Sequence, residues 1–510
     1  MSCLACALTP LGWWALLPLL ALQLEAFALL HDARVLGRVT RRPSPKASFE
    51  NPSATFTWQE LARHNAEESA WVAVDGLVYD ITEFVDRHPG GKEILLFALG
   101  RDATNLFNSY HPFTDVPRVV LKKYRIGSLA TFEHPVYKPD SGFYKEASQV
   151  LKRYFEENGV DSKNPWNGVV RMAPVYVCFF AAYYAIYCVP GVPFAARVAL
   201  AVLLGVCQGM PLTGWMHDAS HVSIGRSEKW WWGVGRFSLD YMSGSSMVSW
   251  RNQHVLGHHV YTNVMGADPD LPTDLAGDPR RLVQQQAWAS VYRWQHLYLP
   301  PLYGILALKS RMQDLTEVFS KHTNGPIRVN PISVQDYLRM LSAKAVWLFY
   351  RVVVPYVFLT AVSRPQLAVL FLATEFTTGY WLAFNFQVSH ISDEVDFLFS
   401  DTAKRESGKC PAVYEQEWAE SQIKTTIDYS HDSPLAAYFS GALNYQTIHH
   451  LFPCVSQYHY PTVNPLIMDV AKKYGYEFKV YDSYADALAA HIRHLRNLGR
   501  EGKPAELKLE

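Results

Sequence analysis

The stretch MAPVYVCFFAAYYAIYCVPGVPFAARVALAVLLGVCQGMPLTGWMHDASH, residues 172–221, holds two long apolar runs, a very short loop between them and two histidines at its end. Each run, 172–189 and 193–213, approaches the roughly 20 residues that an α-helix needs to cross about 30 Å of hydrocarbon. Two more runs of this kind lie at 345–362 and 366–388. The pattern predicts four membrane-spanning helices arranged as two hairpins.

Charged residues interrupt the last two apolar runs. Arg351 lies inside AVWLFYRVVVPYVFLTAV, and Glu375 lies inside VLFLATEFTTGYWLAF. A charge at that depth in a bilayer must face a protein interior or find a partner. We therefore expect both side chains to be buried among helices. The alternative for all four runs is a set of buried helices in a soluble protein.

The basic residues predict how the hairpins lie in the membrane. The loops at 190–192 and 363–365 are very short and carry at most one basic residue, whereas lysines and arginines are frequent in the flanking segments. Positive charge is enriched in cytoplasmic loops. Both hairpins should therefore open toward the cytosol, and the segments between and after them should be cytosolic.

Composition limits the classes of partner. The chain of 510 residues has 47 Lys+Arg and 47 Asp+Glu, so nothing indicates a nucleic-acid partner. Aromatic residues make up 14%, which suits a protein that lies partly at a lipid–water boundary. The seven cysteines are scattered and indicate neither a disulfide framework nor a zinc motif.

The amino-terminal segment has two interpretations. Residues 11–30 are apolar, lack a positive leader and are followed by several arginines. They form either a membrane anchor or a cleaved targeting segment. We divide the chain into this segment with a linker at 1–54, a small domain at 55–128, a linker at 129–145, a membrane domain at 146–485 and a tail at 486–510.

Residues 55–128 have the pattern of a small α+β domain. WVAVDGLVYDIT holds two β-prone runs around Asp75-Gly76, which is a hairpin signal. The next stretch, FVDRHPGGKEILLFALGRDATNLFNSYHPF, places His88 and His111 on either side of a helical pattern. Two histidines from opposite walls of an apolar pocket can supply both axial ligands of a haem iron, which then carries electrons. The alternative is two surface histidines in turns.

A family resemblance supports the haem interpretation. FTWQELARHN, WVAVDGLVYDITEFVDRHPGG and GRDATNLF resemble cytochrome b5, and HPGG around His88 is specific in that context. The resemblance implies His88 and His111 as ligands of haem b. Gly90 and Gly91 would permit the tight turn after the first ligand.

Eight further histidines fall in four places near the predicted ends of the spans. GWMHDASH contains His217 and His221 four positions apart, and NQHVLGHHVYTN repeats the spacing with His254 and His258. Residues four apart on a helix share one face, close enough to reach one metal. The other members are His259, His390 in NFQVSH and, after Gln446 in QTIHH, the adjacent pair His449 and His450.

The number of these histidines predicts two metal ions. One ion rarely takes more than about six ligands, so eight imidazoles suggest two metals with several nitrogen ligands each. Imidazole suits zinc, copper, nickel and iron alike. Because a domain that delivers single electrons is useful to a redox metal and useless to zinc, the pattern predicts iron.

These clusters carry a second resemblance. HDASH at 217, QHVLGHH at 253 and QTIHH at 446 resemble the three histidine boxes of membrane fatty-acid desaturases. A glutamine at the first position of the third box, with a fused cytochrome b5 domain, resembles the front-end subgroup. The resemblance covers the chain from about 55 to 480. It implies an all-α domain of four membrane helices with a cytosolic helical cap that holds a di-iron site.

The same resemblance implies a ligand set. Gln446 occupies a ligand position, where its amide touches iron directly, touches it through water, or only orients neighbouring histidines. The implied histidine ligands are His217, His221, His254, His258, His259, His390, His449 and His450.

Several residues beside the boxes have two interpretations. Asp218 and Asn385 are candidates for accepting the outward N–H of a metal-bound imidazole, or else a helix cap and a polar lining. The acids of GADPDLP, 266–272, are expected to be structural. An interfacial aromatic belt is predicted at Trp230, Trp231, Trp232 and Trp250.

The resemblance implies an O2-dependent enzyme that removes hydrogen from two adjacent carbons and leaves a cis double bond. Electrons are expected from NADH through a separate cytochrome b5 reductase and the haem. The implied substrate is a polyunsaturated acyl chain that gains a double bond between an existing one and the carboxyl group. GHHVYTNVMGADPDLP looks most like Δ5 enzymes that act on twenty-carbon chains, and Δ6, Δ8 and Δ4 relatives share the frame.

Other functions stay open at this point. The iron scaffold also suits a lipid hydroxylase or a sphingolipid desaturase. From another class, the chain would be a haem-bearing membrane anchor that passes electrons to partners. We expect a multi-pass protein of the endoplasmic reticulum membrane with both sites in the cytosol, and plastid targeting is the alternative.

Overall fold

We describe the protein from a computed structural model, which covers residues 54–272, 278–359, 361–399 and 413–500. The predicted anchor or targeting segment at 11–30 lies outside the described residues. In the described part, a small α+β domain precedes a helical domain with four long apolar helices.

The α+β domain is built on a five-stranded sheet in the order β1-β5-β4-β3-β2, in which β1 and β5 are parallel and the other pairs antiparallel. The predicted hairpin joins β3 to β4. Asp75 and Gly76 have φ values of 52° and 71°, as a two-residue type I′ turn requires. The strands are β1 Thr55–Phe56, β2 Asn65–Ala66, β3 Ser69–Val74, β4 Leu77–Asp80 and β5 Arg125–Leu129.

Short helices cover both faces of this sheet, and Leu61 of the first helix packs on the face opposite the others. A 3₁₀ turn, Thr82–Arg87, leads directly to His88. Buried Val72, Val74 and Ile81 of the sheet side pack against the helices in one apolar core. The helices are α1 Trp58–Ala62, α2 Lys92–Ala98, α3 Thr104–Tyr110 and α4 Val116–Leu121, followed by a 3₁₀ turn at Lys122–Tyr124.

Four helices of the second domain are long and apolar enough to cross a membrane, which confirms the four predicted spans. They are Trp166–Tyr187, Phe194–Ser220, Val334–Phe358 and Arg364–His390. Large apolar side chains along them are exposed, among them Val177, Val202, Val352 and Val369. Such a surface suits contact with lipid, so the chain is a multi-pass membrane protein.

The helices of this domain outnumber its spans, because short helices form a cap beside the membrane region. All helices of the domain before the last span, spanning and short, are α5 Phe143–Glu157, α6 Trp166–Tyr187, α7 Phe194–Thr213, α8 Trp215–Ser220, α9 Glu228–Gly235, α10 Met247–Trp250, α11 Gln295–Leu302, α12 Leu306–Thr316 and α13 Val334–Leu348. The last span and the helices after it are α14 Arg364–His390, α15 Trp418–Lys424, α16 Pro434–Ser440, α17 Gln446–Leu451, α18 Tyr460–Lys473 and α19 Tyr484–Arg500.

Several segments have π- or 3₁₀-helical hydrogen bonding. The π segments are Arg236–Met242, Arg251–His258, Glu317–Lys321 and Phe349–Phe358. The 3₁₀ turns of this domain are Ser290–Trp294, Tyr303–Ile305, Leu443–Tyr445 and Gln457–His459.

Short strand pairs tie the cap together. β6 pairs in parallel with β11, and β7 with β10, so residues far apart in sequence are held side by side. Residues 129–145 contain β6 and the start of α5, and residues 486–500 lie in α19; the division into linker, domain and tail stays a prediction. The strands are β6 Val136–Lys138, β7 Val264–Met265, β8 Thr323–Asn324, β9 Ile327–Arg328, β10 Leu398–Phe399, β11 Val413–Glu417, β12 Asp428–Tyr429 and β13 Val480–Tyr481.

The charges inside the third and fourth spans pair with each other. Arg351 Nη2 lies 3.1 Å from Glu375 Oε1, and both side chains are fully buried. Arg311 of α12 lies 2.5 Å from the other oxygen of Glu375. The expectation that these charges find partners is confirmed, and the pairing ties α14 to two neighbouring helical segments.

The α+β domain is docked on the cap of the helical domain. Asn330 Nδ2 donates to the carbonyl oxygens of Leu96 and Leu99 at 2.9 and 3.0 Å, and Arg101 Nη2 donates to the Arg328 carbonyl at 2.9 Å. The two Asn330 bonds cap the end of α2, where helix carbonyls lack partners within the helix. These hydrogen bonds hold the α+β domain directly against the helical domain.

Candidate metal centre

Five of the predicted histidines form one buried group whose ligand atoms lie within 4.8 Å of one another. Nε2 of His254 lies 2.7 Å from Nε2 of His217 and 3.1 Å from Nε2 of His259. Buried polar atoms normally have hydrogen-bond partners, yet Nε2 of His221 and of His449 has none. Imidazole nitrogens that converge in this way fit a metal ion. The first group is His217, His221, His254, His259 and His449.

The second group consists of His258, His390 and His450, which are also buried. Nε2 atoms of His258 and His390 are 3.3 Å apart. Gln446 Nε2 lies 2.9 Å from Nε2 of His390 and 3.2 Å from Nε2 of His450. The Gln446 amide therefore lies directly beside two rings of the second group.

The two groups divide neighbours in sequence. His449 belongs to the first group and His450 to the second, because successive side chains on a helix such as α17 point about 100° apart. The adjacent pair in QTIHH thus serves both groups from one short helix.

The second histidine box, QHVLGHH, contributes rings to both groups, and the division differs from the one that an α-helix predicts. Arg251–His258 is a π segment, and the His259 N–H donates to the His254 carbonyl at 3.0 Å. Bonding between residues five apart brings the His254 and His259 side chains together in the first group and leaves His258 to the second. The prediction that His254 and His258 share one metal is wrong, because it assumed an α-helical period.

Oxygen atoms outside the groups hold the second nitrogen of most of these rings. Metal-bound imidazoles are commonly oriented by such a bond to Nδ1, which leaves Nε2 for the metal. The pairs are His221 with Tyr110 OH at 2.8 Å, His258 with Asp268 Oδ2 at 3.0 Å, His390 with the Thr425 carbonyl at 3.3 Å, His449 with Tyr460 OH at 3.2 Å and His450 with Gln422 Oε1 at 2.9 Å.

Sequence reasoning missed these outer partners. Asp268 lies in GADPDLP, whose acids were expected to be structural, and its position ten residues after His258 was the one available signal. Tyr110, Gln422 and Tyr460 carry no motif near the boxes. Tertiary packing alone brings them to the rings.

The two candidates named for this role bind elsewhere. Asp218 accepts hydrogen bonds from Ser456 Oγ at 2.9 Å and from the Gln457 N–H at 3.2 Å, so it holds the chain after the third box against α8. Asn385 Nδ2 donates to the Trp381 carbonyl of its own helix at 2.7 Å. The polar-lining interpretation of Asn385 is the one that the contacts support.

Burial keeps most of the rings neutral. It lowers the pKa of His221, His254, His259, His449 and His450 well below the usual value, and neighbouring imidazoles lower it further. His258 differs: burial acts to lower its pKa, but the Asp268 and Asp270 carboxylates outweigh burial and raise it. Neutral imidazole is the form that binds metals.

The predicted aromatic belt is wrong for three of its members. Trp231 and Trp232 are buried, and the Trp250 ring stacks on the His254 ring with centroids 4.4 Å apart. These indoles pack against the metal centre and the domain interface, because the segment that carries them folds into the cap.

The two remaining site histidines face each other across a cavity of about 690 Å³ that residues of both domains line. The ring centroids of His88 and His111 are 6.4 Å apart. Nδ1 of His88 donates to the Gly91 carbonyl at 3.1 Å, and Nδ1 of His111 donates to the Phe107 carbonyl at 2.9 Å. Each Nε2 therefore stays available to a haem iron between the rings.

The lining of this cavity fits a haem. It is largely apolar, with Val72, Ile81, Leu95 and Leu121 among its residues. Burial lowers the pKa of His111 to about 4 and lowers that of His88 as well, so both rings are neutral ligands at pH 7.

The glycines after His88 are required by close approach. A Cβ on Gly90 would lie 2.8 Å from Cε1 of His88. Gly91 has a φ of 86°, and a Cβ there would collide with the Glu228 side chain of the other domain. Any larger residue would displace either the ring or the domain contact.

Tyr110 links the two sites. It directly precedes His111 in sequence, and its hydroxyl lies 2.8 Å from Nδ1 of His221. One residue of the haem-binding domain thus contacts a histidine of the first group.

Comparison with known proteins matches both parts of the chain. Residues 193–482 match the family "Fatty acid desaturase", and residues 57–130 match "Cytochrome b5-like Heme/Steroid binding domain". "Delta(5) fatty acid desaturase A" of Dictyostelium discoideum is 38% identical over 446 residues, which are 88% of this chain and 94% of that protein. "Acyl-lipid (8-3)-desaturase" of Mortierella alpina is 38% identical over 451 residues, 88% and 98% of the two chains. "sn-1 linoleoyl-lipid 6-desaturase" of Synechocystis is 27% identical over 375 residues, 73% and 99%.

Proposed function

Because the chain belongs to the fatty acid desaturases and is a front-end member with a cytochrome b5 domain, we propose that it inserts a Δ5 cis double bond into a twenty-carbon polyunsaturated acyl chain. The observation that carries the desaturase reaction is the convergence of eight buried histidines in two groups. The name Delta(5) of one relative supports the position of the new bond only by similarity.

We propose that each histidine group holds one iron ion. In the first group five imidazoles are the ligands, and in the second three imidazoles act with Gln446. Iron bound there would supply the O2-dependent removal of hydrogen from two adjacent acyl carbons, which acids and bases of the protein cannot perform.

The chain's own residues prepare this site. Tyr460, Gln422 and Asp268 hold the rings through Nδ1, and burial keeps solvent from the two groups. A dry site protects a reactive centre from side reactions with water.

We assign His88 and His111 as the haem ligands and place the haem between a reductase and the iron pair. NADH would be the electron source, acting through a separate cytochrome b5 reductase. The cytochrome domain is docked on the cap, so its local concentration at the metal centre does not depend on diffusion.

The proposed location is the endoplasmic reticulum membrane, with both sites in the cytosol. His217 lies near the end of the second span and His390 ends the fourth, so each histidine group includes a residue at the end of a span. Basic flanking segments favour the cytosolic side for this end of the helices.

The position of the double bond is tested by expression in a host without polyunsaturated lipids, fed separately with eighteen-, twenty- and twenty-two-carbon precursors. Mass spectrometry locates the new bond. We expect a product two hydrogens lighter than the twenty-carbon precursor, with its new bond at carbon five. A bond at carbon eight, six or four, or an eighteen-carbon product alone, rejects Δ5. A product heavier by one oxygen identifies a hydroxylase.

A further inference from the structure

The helical domain supplies one wall of the haem cavity, and that wall contains a buried cation. Residues of the helical domain that line it include Ser220, Val222, Trp231, Arg251 and Val255. Arg251 begins the π segment that carries His254 and His258, and its residue surface is only 2% exposed. The haem cavity and the metal centre therefore share this segment.

Within the described part of the chain, Arg251 forms no direct ion pair, and the carboxylates of Glu93 and Asp240 act on it only from a greater distance. Its Nη2 donates to the Ala219 carbonyl at 3.1 Å, and its guanidinium lies 4.0 Å from the centre of the Trp232 ring. Its Nε and Nη1 are buried and have no hydrogen-bond partner. Among the residues that the structure describes, no carboxylate forms an ion pair with it within 4.0 Å.

A neighbouring arginine shows what a completed site of this kind contains. Arg236 lies over the same Trp232 ring at 4.2 Å, and its Nη2 is 3.4 Å from Glu93 and 3.5 Å from Asp336. An arginine stays charged in proteins, and a buried charge without an opposite charge is strongly unfavourable. The contrast indicates that the partner of Arg251 is an anion that enters the cavity.

We propose that Arg251 binds a carboxylate of the haem that His88 and His111 hold, so that the helical domain completes the haem site. The inference rests on the proposed haem ligation, because both imidazoles and Arg251 line one cavity. Haem brings two propionate carboxylates, and the planar guanidinium matches a carboxylate with two parallel hydrogen bonds.

The contact between Arg251 and a haem carboxylate would bring the haem close to a segment that carries part of the first histidine group, to which its electrons must pass. The Ala219 carbonyl that accepts from Arg251 lies between His217 and His221 in sequence. A haem carboxylate on Arg251 would therefore lie beside the segment that carries His217 and His221. Arg251 is in this sense a positioning residue, and it acts through the haem.

The test compares haem with haem dimethyl ester, in which both carboxylates are blocked. The full-length protein in detergent is loaded with one or the other, and loss of the porphyrin to excess apomyoglobin is followed by Soret absorbance. In the natural protein we expect the ester to be lost about 10- to 100-fold faster, the range for hydrogen bonds to a charged group. In Arg251→Gln haem should be lost as fast as the ester, and Arg251→Lys should recover part of the difference.

Arg236→Gln is the matched control, since Arg236 lies on the same indole but already has acidic partners. It should keep the natural difference between haem and ester. A second measurement is the haem midpoint potential, which Arg251→Gln should lower because it removes a buried positive charge beside the haem.

The proposal is overturned if Arg251→Gln keeps the natural ratio of loss rates, or if the natural protein holds haem and ester equally. Because each variant is compared with itself, a general loss of stability does not imitate the expected result. A natural protein with no Soret band in either form would instead reject the haem ligation by His88 and His111.

Discussion

The haem pocket and the histidine cluster are assembled in opposite ways. His88 and His111 come from one small domain, and the turns and helices next to them in sequence form most of the cavity. The cluster collects its rings from four separate segments, and neighbours in sequence such as His449 and His450 enter different groups. A site closed by local structure can be recognised from a single motif, whereas a site closed by tertiary packing requires several motifs together.

Replacing one histidine of each site with alanine should have the largest effect and should show whether the two sites are lost independently. His449→Ala removes a ring at the centre of the first group, where it lies 4.5 Å from His217 and 4.6 Å from His259 between centroids. We expect desaturation to disappear and cluster iron to fall, while the Soret band stays. His88→Ala should lose the haem and keep the iron. Product analysis, elemental iron and haem absorbance check both.

His431→Ala is the control for these variants, because His431 pairs with Asp428 at 3.0 Å outside both groups. It should retain iron and haem. Desaturation that survives in His449→Ala would favour a haem-bearing electron-transfer anchor over an enzyme.

The glutamine of the second group gives the next largest effect. Gln446→Ala removes the amide beside His390 and His450, and we expect iron affinity to fall by about 10- to 100-fold, as for other supporting residues of metal sites. Gln446→His should restore iron binding and activity if the position ligates the metal. Loss in both variants, measured by iron content and product yield, would mean that the amide is needed for fit.

Asp268→Asn tests whether the outer carboxylate acts on the second group alone. Asp268 accepts from Nδ1 of His258, and replacing the carboxylate weakens this hold. We expect the iron affinity of the second group to fall roughly tenfold, the lower end of the range for such partners. About one of the two iron ions per protein should therefore be lost before the other. Asp278→Asn, at a carboxylate bound to Arg280, should leave the iron content unchanged. Equal loss from both groups would contradict the assignment.

Tyr110→Phe should give the smallest effect and address the one contact that joins the two sites. It removes the hydroxyl beside Nδ1 of His221 and leaves the ring in place. We expect reoxidation of the reduced haem to slow by about tenfold or less, because a typical hydrogen bond contributes about 0.5–1.5 kcal/mol. The Soret band and haem potential should not change. Stopped-flow absorbance measures the rate.

Tyr124→Phe is the comparison for this variant, since Tyr124 lines the haem cavity from the cytochrome domain. It should leave the rate as in the natural protein. An equal slowing in both variants would point to a general disturbance of the cavity and not to the contact with His221.

Much of the architecture was predictable from local patterns. The four spans, the Asp75-Gly76 hairpin and the need of Arg351 and Glu375 for partners all follow from apolar runs, turn residues and the cost of charge in hydrocarbon. These features depend on a few consecutive residues or on solvent, so sequence is sufficient to recognise them.

The finer structure of the site was not predictable. The π segment exchanged the partners of His254, which a helix of ordinary period would have joined to His258. Trp232 is buried under the guanidinium of Arg251 and does not face the lipid–water interface. A backbone hydrogen-bond shift of one residue leaves no mark in composition or spacing.

The sequence by itself determined which residues meet hydrocarbon, which domain precedes the membrane part and which histidines are candidates for metal, because hydropathy and motif spacing are local properties. Only the tertiary structure decided how eight rings divide between two groups, which oxygens orient them and where two nitrogens of Arg251 were left without hydrogen-bond partners. Those outcomes depend on distances between segments hundreds of positions apart, and packing of the whole chain sets such distances.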